Sequence, residues 1–451
     1  MGKELLFQTL RHEQAERTPW VPFAGVHAGK LVGYTAEEIL KDEDKLLTAL
    51  LEVNKIYTPD GMPVVFDLQI EAEVLGCELL WARDNPPSVR SHPLSGTKEI
   101  PGKIPTAEDG RLPMILRTMG RLKDTVGADT ALYGLVCGPF TLASHLRGSD
   151  IFMDMATDQD YVRDLVGYCA KVCTAVTQMY IDAGMDVIAV VDPLVSQISP
   201  KHFTKMLHES FTAVFDHIRA AGVFSSFFVC GNATRQIEVM CRTGPDCISV
   251  DENVELKAAK EVTDRYNIAI GGNIPLTTTM LHGTQQDNMK CVLDILDVAG
   301  GKNLIVSPGC DMPYDVPIEN TVAAAQAVRN PDSARKMLEN YVAAEEEDIP
   351  VELPDYGHLD KVLVELFLLD PAQCAACTYM LAAMEDVYDE VKDIAEYCSY
   401  KYTVKKDIAR IKKMGVANLP SMYINGKLAY SSIIPSRAEL IASIRSAAQK
   451  G

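Results

Sequence analysis

The sequence has no run approaching the roughly 18 uninterrupted apolar residues that a membrane-spanning helix needs. Its start, MGKELLFQTLRHEQAERTP, is charged and lacks the apolar stretch of a secretory signal, so a cytoplasmic location is expected. Positive charge is scarce: 43 Lys and Arg stand against 62 Asp and Glu, a formal net charge of −19. Phosphate backbones and anionic lipid are therefore poor partners, and neither nucleic acid nor membrane is expected to bind. Twelve cysteines in 451 residues are too dilute for a disulfide scaffold. Cys169 and Cys173, one helical turn apart in YCAKVCTAV, read as packed core thiols. In a reducing compartment, cysteines outside such settings are candidates for metal ligation or redox chemistry. A Gly-rich phosphate turn after the first strand is also missing, which disfavours an open nucleotide-binding sheet.

What is present is repetition. Short β-branched runs end in polar or glycine-containing turns, and longer helix-period segments follow. The runs cover 20–28, 61–67, 131–139, 186–193, 225–232, 247–252, 268–274 and 303–310. Continuous apolar strands alternating with amphipathic helices indicate a parallel sheet buried on both faces. Eight of them point to a closed (β/α)₈ barrel, the TIM-barrel architecture of the α/β class. Residues 75–130 are too long for one connection and read as a surface excursion.

An acidic run and two prolines mark a boundary in NYVAAEEEDIPVELPDYGH. The barrel is assigned to 1–344, a linker to 345–358 and a small thioredoxin-like domain to 359–451. In that last part a strand, VLVELFLL, leads into Cys374-Ala-Ala-Cys377 at the start of a helix. The helix dipole and free amides there lower the first thiol's pKa. A hairpin with Asn425-Gly426 as its turn follows Leu419-Pro420, where a cis bond is expected. A zinc knuckle would need a second ligand pair, and only Cys398 and His358 are nearby, so Cys374, Cys377 and Pro420 are read as a dithiol redox motif.

In a (β/α)₈ barrel, chemistry gathers at the strand C-termini. Those ends carry His27, Asp67, Cys137, Asp192, Cys230, Asp251 with Glu252, Asn273, and Cys310 with Asp311. Cys230 in VCGN and Cys310 in SPGCDMP sit beside glycines that allow tight backbone, and two thiolates with oxygen or nitrogen ligands make an open zinc site. The other reading is two ordinary strand-end cysteines. Asp67 ends an apolar strand and is expected in the mouth, where Gln69, Glu71 and Glu73 would orient ligand. Asp192, Asp251 and Glu252 also serve turns and helix starts elsewhere. His27, Asn232, Asn273 and Asp311 complete the candidate ligand-binding set, although His27 also suits a purely hydrogen-bonding role.

Through RTPWVPFAGVHAGKLVGYT, FDLQIEAEVLGCELLWARDNPPSV, GPFTLASHLRG, DAGMDVIAVVDPLVSQISPKHF, FVCGNATRQIEVM and LIVSPGCDMP, segment 1–340 resembles the uroporphyrinogen decarboxylase superfamily. Within it, the resemblance is to the corrinoid-dependent methyltransferases of the methylcobamide:thiol type. It implies a cytoplasmic enzyme of anaerobic one-carbon metabolism. A methylated corrinoid protein would dock over the mouth and pass its methyl group to a zinc-activated thiol or another small acceptor. Cys230 and Cys310 match the cysteines of the family's zinc motif, but Phe228 stands where its histidine should be. Either a carboxylate such as Glu252 or Asp192 replaces that ligand, or the zinc site is altered or lost. True decarboxylases carry Met-Arg-Gln-Ala-Gly-Arg after the first strand, whereas this chain has Phe-Ala-Gly-Val-His-Ala-Gly-Lys. Asp67 matches their catalytic aspartate. A tetrapyrrole decarboxylase and a non-catalytic corrinoid-binding or redox adaptor are the alternative readings. The C-terminal part resembles thioredoxin or glutaredoxin-like domains, implying a thiol redox partner; it would reduce Cys230 or Cys310.

Overall fold

The β-branched runs build the expected parallel sheet. In a computed structural model that describes residues 2–342, 349–369, 375–431 and 434–449, they form seven strands. These are β1 (Gly61–Pro63), β2 (Ala131–Cys137), β3 (Val187–Val191), β4 (Phe224–Val229), β5 (Cys247–Val250), β6 (Ala269–Ile274) and β7 (Leu304–Pro308). Every neighbouring pair is parallel and in sequence order. The eighth position is filled by residues 19–21. Val21 donates to the Val306 carbonyl at 3.0 Å, and Val306 donates to the Pro19 carbonyl at 3.0 Å. On the other side Asp60 donates to the Trp20 carbonyl at 2.9 Å, so the ring closes between β1 and β7.

The run at 20–28 was expected to be a full strand, and it is only this single bridge. Pro19 and Pro22 carry no N–H to continue a ladder. Beyond them Gly25 lies so close to Asp311 that a Cβ there would meet Oδ1 at 2.0 Å. The chain turns instead into a helix, His27–Val32. The segment 75–130 forms a small hairpin, Leu79–Leu80 with Ser88–Val89, and the helix Leu112–Val126.

Alternate residues of the strands fill the barrel. Phe23, Phe66, Tyr133, Val191, Phe228 and Ile305 share one buried cluster, joined by Leu6 and Leu10 of the helix Gly2–Leu10. Leu6 reaches within 3.0 Å of the Cβ position of Gly61, the first residue of β1, so that helix closes the N-terminal end. Each such large apolar side chain contributes roughly 1.5–3 kcal/mol by leaving water. Local signals set the outer helices. Helix Gln285–Ala299 starts on a Thr284/Asp287 capping box and stops at Gly300, whose φ is 68°.

The chain divides into two compact units, Met1–Ala343 and Ala344–Gly451. The second unit has four strands: β8 (Val362–Leu368), β9 (Ala395–Lys401), β10 (Ser421–Ile424) and β11 (Lys427–Ser431). They lie in the order β9-β8-β10-β11. β8 and β9 are parallel, and the others antiparallel. Asn425 and Gly426 both take positive φ, 47° and 72°, the geometry a two-residue hairpin requires. Leu419–Pro420 is cis.

Candidate functional site

Two groups of side chains occupy the C-terminal ends of the barrel strands. One end is acidic and built around Asp67, which is 1% exposed. Its Oδ1 accepts from the Gln69 amide at 2.8 Å, and its Oδ2 accepts from Arg111 Nη1 at 2.7 Å. Arg111 Nε in turn donates to Glu73 at 2.7 Å, and its guanidinium lies 4.9 Å from the Trp81 ring centroid. Glu71, also 1% exposed, accepts from the Cys137 amide at 3.0 Å. Burial pushes the Glu71 carboxyl up to about 8, and the Asp67 charge adds to that. Three buried side-chain atoms of this group, Gln69 Oε1, Glu71 Oε2 and Arg111 Nη2, have no hydrogen-bond partner, as do others elsewhere in the barrel. Arg111 escaped the sequence reading. It sits 44 residues from Asp67 at the start of a helix inside the excursion, with no local signal of its role.

The other end holds Cys230, directly after β4, and Cys310, two residues after β7. Eighty residues apart, they are joined as a disulfide with Cα atoms 5.9 Å apart, and both are half-buried. Below them Phe228 is fully buried, its ring centroid 4.9 Å from Phe23 and 5.9 Å from Phe66. The position of the family's histidine therefore faces the barrel interior as a hydrophobe. Asp251 accepts from the Gly231 amide and from the Asn253 amide. A Cβ on Gly309 would meet Glu252 Oε2 at 2.6 Å, so that carboxyl lies against the residue preceding Cys310. Glu252 is partly exposed as a residue, yet its carboxyl is enclosed. Desolvation, then the Asp251 charge, push it up to about 8.

These residues do not fit zinc as they stand. Both sulfurs are spent on each other, and Phe228 offers no donor. Among the described residues no group of three or more His, Cys, Asp or Glu is arranged to hold a metal ion. The structure thus brings Cys230 and Cys310 together, as expected of a pair, but as a bonded one.

The remaining candidates are placed by their partners. His27 takes the hydrogen-bonding role its sequence context also suits: it opens a helix, fully buried, with Nδ1 2.8 Å from the Tyr314 carbonyl and Nε2 2.7 Å from the Tyr57 hydroxyl. Burial lowers its pKa to about 4, and neither ring nitrogen is left for a ligand. Asp192 is likewise consumed, accepting from the Phe140 and Thr141 amides and, at 2.6 Å, from the Thr141 hydroxyl. Burial raises it to about 6, and it holds the start of helix Pro139–Arg147 against β3 rather than facing the mouth. Asn273 donates to the Asp251 and Val254 carbonyls at 3.0 and 2.9 Å, bracing the turn after β5. Asn232 is exposed, and its Oδ1 accepts from Thr234. Asp311 lies against Gly25 and accepts from the Val26 and Met312 amides. Its Oδ1 is buried without a partner, and burial raises its pKa strongly.

In the second unit, Cys374 lies outside the described residues. Cys377 is fully buried in the helix Ala375–Val391, and its Sγ accepts from the Leu369 amide at 3.3 Å. Cys169 and Cys173 are buried core thiols.

The model of the uroporphyrinogen decarboxylase family matches residues 1–331, and that of a thioredoxin domain matches 364–445. A methylcobamide:CoM methyltransferase of Methanosarcina acetivorans is 28% identical over 336 residues, covering 73% of this chain and 97% of its own length. A uroporphyrinogen decarboxylase of Prochlorococcus marinus is 22% identical over 348 residues, 74% of this chain and 97% of that one. A solved structure, a methyltransferase from Methanosarcina mazei, shares the fold with a TM-score of 0.67 at 22% identity, covering 73% of this chain and 99% of its own. Among the described residues no helix is long and apolar enough to cross a membrane.

Proposed function

Given that the chain belongs to the uroporphyrinogen decarboxylase family, we propose that its barrel is a methyltransferase that takes a methyl group from a methylcorrinoid held by a partner protein and passes it to a small thiol or similar acceptor. One observation carries this reading: around the Asp67–Arg111 bridge, Arg111 Nη2, Gln69 Oε1 and Glu71 Oε2 are buried without partners. Burying such atoms unpaired costs about 1–3 kcal/mol each, a cost that a bound polar molecule would offset. The similarity to the methylcobamide:CoM methyltransferase of Methanosarcina acetivorans supports the choice of reaction.

The methylcorrinoid supplies an electrophilic methyl, and the electron pair of its cobalt–carbon bond stays with cobalt. The acceptor sulfur forms the new bond and gives up its proton. Glu71, with a pKa of about 8, is matched to a free thiol near 8.5, so its ionised form, which becomes abundant only as pH approaches 8, can take that proton at little cost. Arg111, held by Asp67 and Glu73, directs its remaining nitrogen at the acceptor. The closed Cys230–Cys310 pair is no zinc donor set, and none of these roles depends on one. A tetrapyrrole decarboxylase is less well supported. Asp67 is tied to a guanidinium, and that guanidinium is shared by two carboxylates, leaving little positive charge for a polyanion.

The test is anaerobic incubation of the full chain with methylcobalamin and a panel of thiols. Loss of the methylcobalamin spectrum, with a methyl thioether found by mass spectrometry, is the expected result. Release of carbon dioxide from a porphyrinogen with no methyl transfer would replace this reading by decarboxylation.

A further inference from the structure

We infer that the small acceptor bound at the Asp67–Arg111 network carries an ammonium group, so that the barrel selects an aminothiol over a thiol with an anionic tail. That the acceptor is a thiol rests on the methyl-transfer reading above, whereas its charge rests on the residues around Asp67.

Three observations carry it. The first is the balance of charge. The Arg111 guanidinium is divided between two carboxylates, Asp67 at Nη1 and Glu73 at Nε, both at 2.7 Å. Lys41, which lies 3.9 Å from the Trp81 ring centroid, pairs with Glu37 at 2.7 Å. An anionic tail brought here would meet a guanidinium already neutralised, with a carboxylate in excess. It would lose its hydration and gain no counter-charge.

The second is the set of unmet hydrogen bonds. Glu71 Oε2 and Gln69 Oε1 are buried oxygens without partners, and Arg111 Nη2 is a single donor. Two oxygens beside one donor call for a ligand rich in N–H groups. An ammonium supplies three. The acceptor sulfur is then free to accept from Arg111.

The third is the setting of Glu71. The titratable groups that face it are Asp67, Arg111, Cys137, Cys173 and Tyr180. Burial pushes the two thiols and the phenol well up, so they stay uncharged, and the charges acting on Glu71 are those of Asp67 and Arg111. Desolvation outweighs the guanidinium, and Glu71 keeps its proton until about pH 8. An ammonium in contact favours the carboxylate and expels that proton. Binding an aminothiol thus puts Glu71 in the form that accepts the thiol proton. Among the described residues no three His, Cys, Asp or Glu are arranged for a metal ion, so an organic cation fits better.

The test uses methyl thioethers, which resemble the methylated product, carry no titrating thiol and leave the Cys230–Cys310 bond intact. S-methyl-cysteamine, S-methyl-mercaptoethanol and S-methyl-mercaptoacetate differ at one end only, which is cationic, neutral or anionic. Their binding to the full chain is followed by calorimetry near pH 7 in buffers of different ionisation enthalpy. The cationic compound should bind at least about tenfold more tightly than the neutral one, and the anionic one most weakly. Its binding should release about one proton, and Glu71→Gln should abolish that release. Glu73→Gln, at a partly exposed side chain, frees charge on Arg111 and should narrow the cationic-over-anionic preference about tenfold. Circular dichroism identifies any variant that fails to fold.

Equal binding of the three compounds, tightest binding of the anionic one, or no binding at all would overturn the inference. A cationic preference unchanged in both variants would do the same, because the cation would then sit elsewhere. Methyl transfer from methylcobalamin to mercaptoacetate in preference to cysteamine would leave the methyltransferase reading standing and remove this one. The predicted binding order with no transfer to any thiol would keep the ligand class and remove the methyltransferase reading.

Discussion

The two units each bury a carboxylate–guanidinium pair, and they treat it differently. In the second unit Glu365 is fully buried on β8. It accepts from Arg410 Nε at 3.0 Å and from the Tyr356 hydroxyl at 2.7 Å. Arg410 also donates to the Glu352 carbonyl at 3.1 Å and stacks 4.7 Å from the Tyr400 ring centroid. Neither side chain leaves a buried polar atom without a partner. In the barrel, Arg111 bridges Asp67 and Glu73, yet one of its nitrogens and two neighbouring oxygens remain unmatched. A closed network holds a fold together. An open one, at the C-terminal face of a barrel, is arranged for something that binds.

The largest effect is expected where the closed network is broken. Arg410→Ala should cost about 3–5 kcal/mol by leaving the buried Glu365 with only the Tyr356 hydroxyl as partner, read as a lowered denaturant midpoint of the full chain. The open network predicts a pH signature. Glu71 has a folded pKa of about 8 against an unfolded value near 4.5, so the folded state holds a proton that the unfolded state has already lost. Its contribution to stability is complete below pH ~4.5 and is lost as pH rises to ~8. Between pH 5 and 8 the wild type should therefore lose roughly 3 kcal/mol more than Glu71→Gln. Parallel stability–pH curves for the two chains would show that Glu71 ionises normally. The smallest effect is expected on the surface. Arg437 pairs with Asp386 and Glu390, all well exposed, so Arg437→Ala should leave the denaturant midpoint essentially unchanged.

Much of this was legible in the sequence, because apolar strand runs and glycine turns are local signals. The strand order, the Asn425-Gly426 hairpin and the helix beginning after Cys374 follow from them. The full strand expected at 20–28 failed because its register depends on prolines and on the close approach of Gly25 to Asp311, 286 positions on. A hydrogen-bonding role for His27 was legible, but its partners Tyr57 and Tyr314, 30 and 287 residues away, were not. The Asp67–Arg111 bridge spans 44 residues, and nothing around Arg111 announces it. Cys230 and Cys310 were visible as a pair. Two thiols at strand ends serve a metal or a disulfide equally well, and residue type alone does not say which.

The central claim is that the open network at the barrel mouth binds and methylates an acceptor, and one paired measurement tests it most directly. Methyl transfer from methylcobalamin and thermal unfolding would be followed together in wild type, Arg111→Lys and Arg410→Lys, since lysine keeps the charge but loses the fork. The account predicts that Arg111→Lys loses transfer by about 100-fold through a misplaced acceptor, while its unfolding temperature stays near wild type. Arg410→Lys should lower the unfolding temperature and keep transfer. Full transfer in Arg111→Lys, with a fall in stability matching that of Arg410→Lys, would make both networks structural and contradict the account.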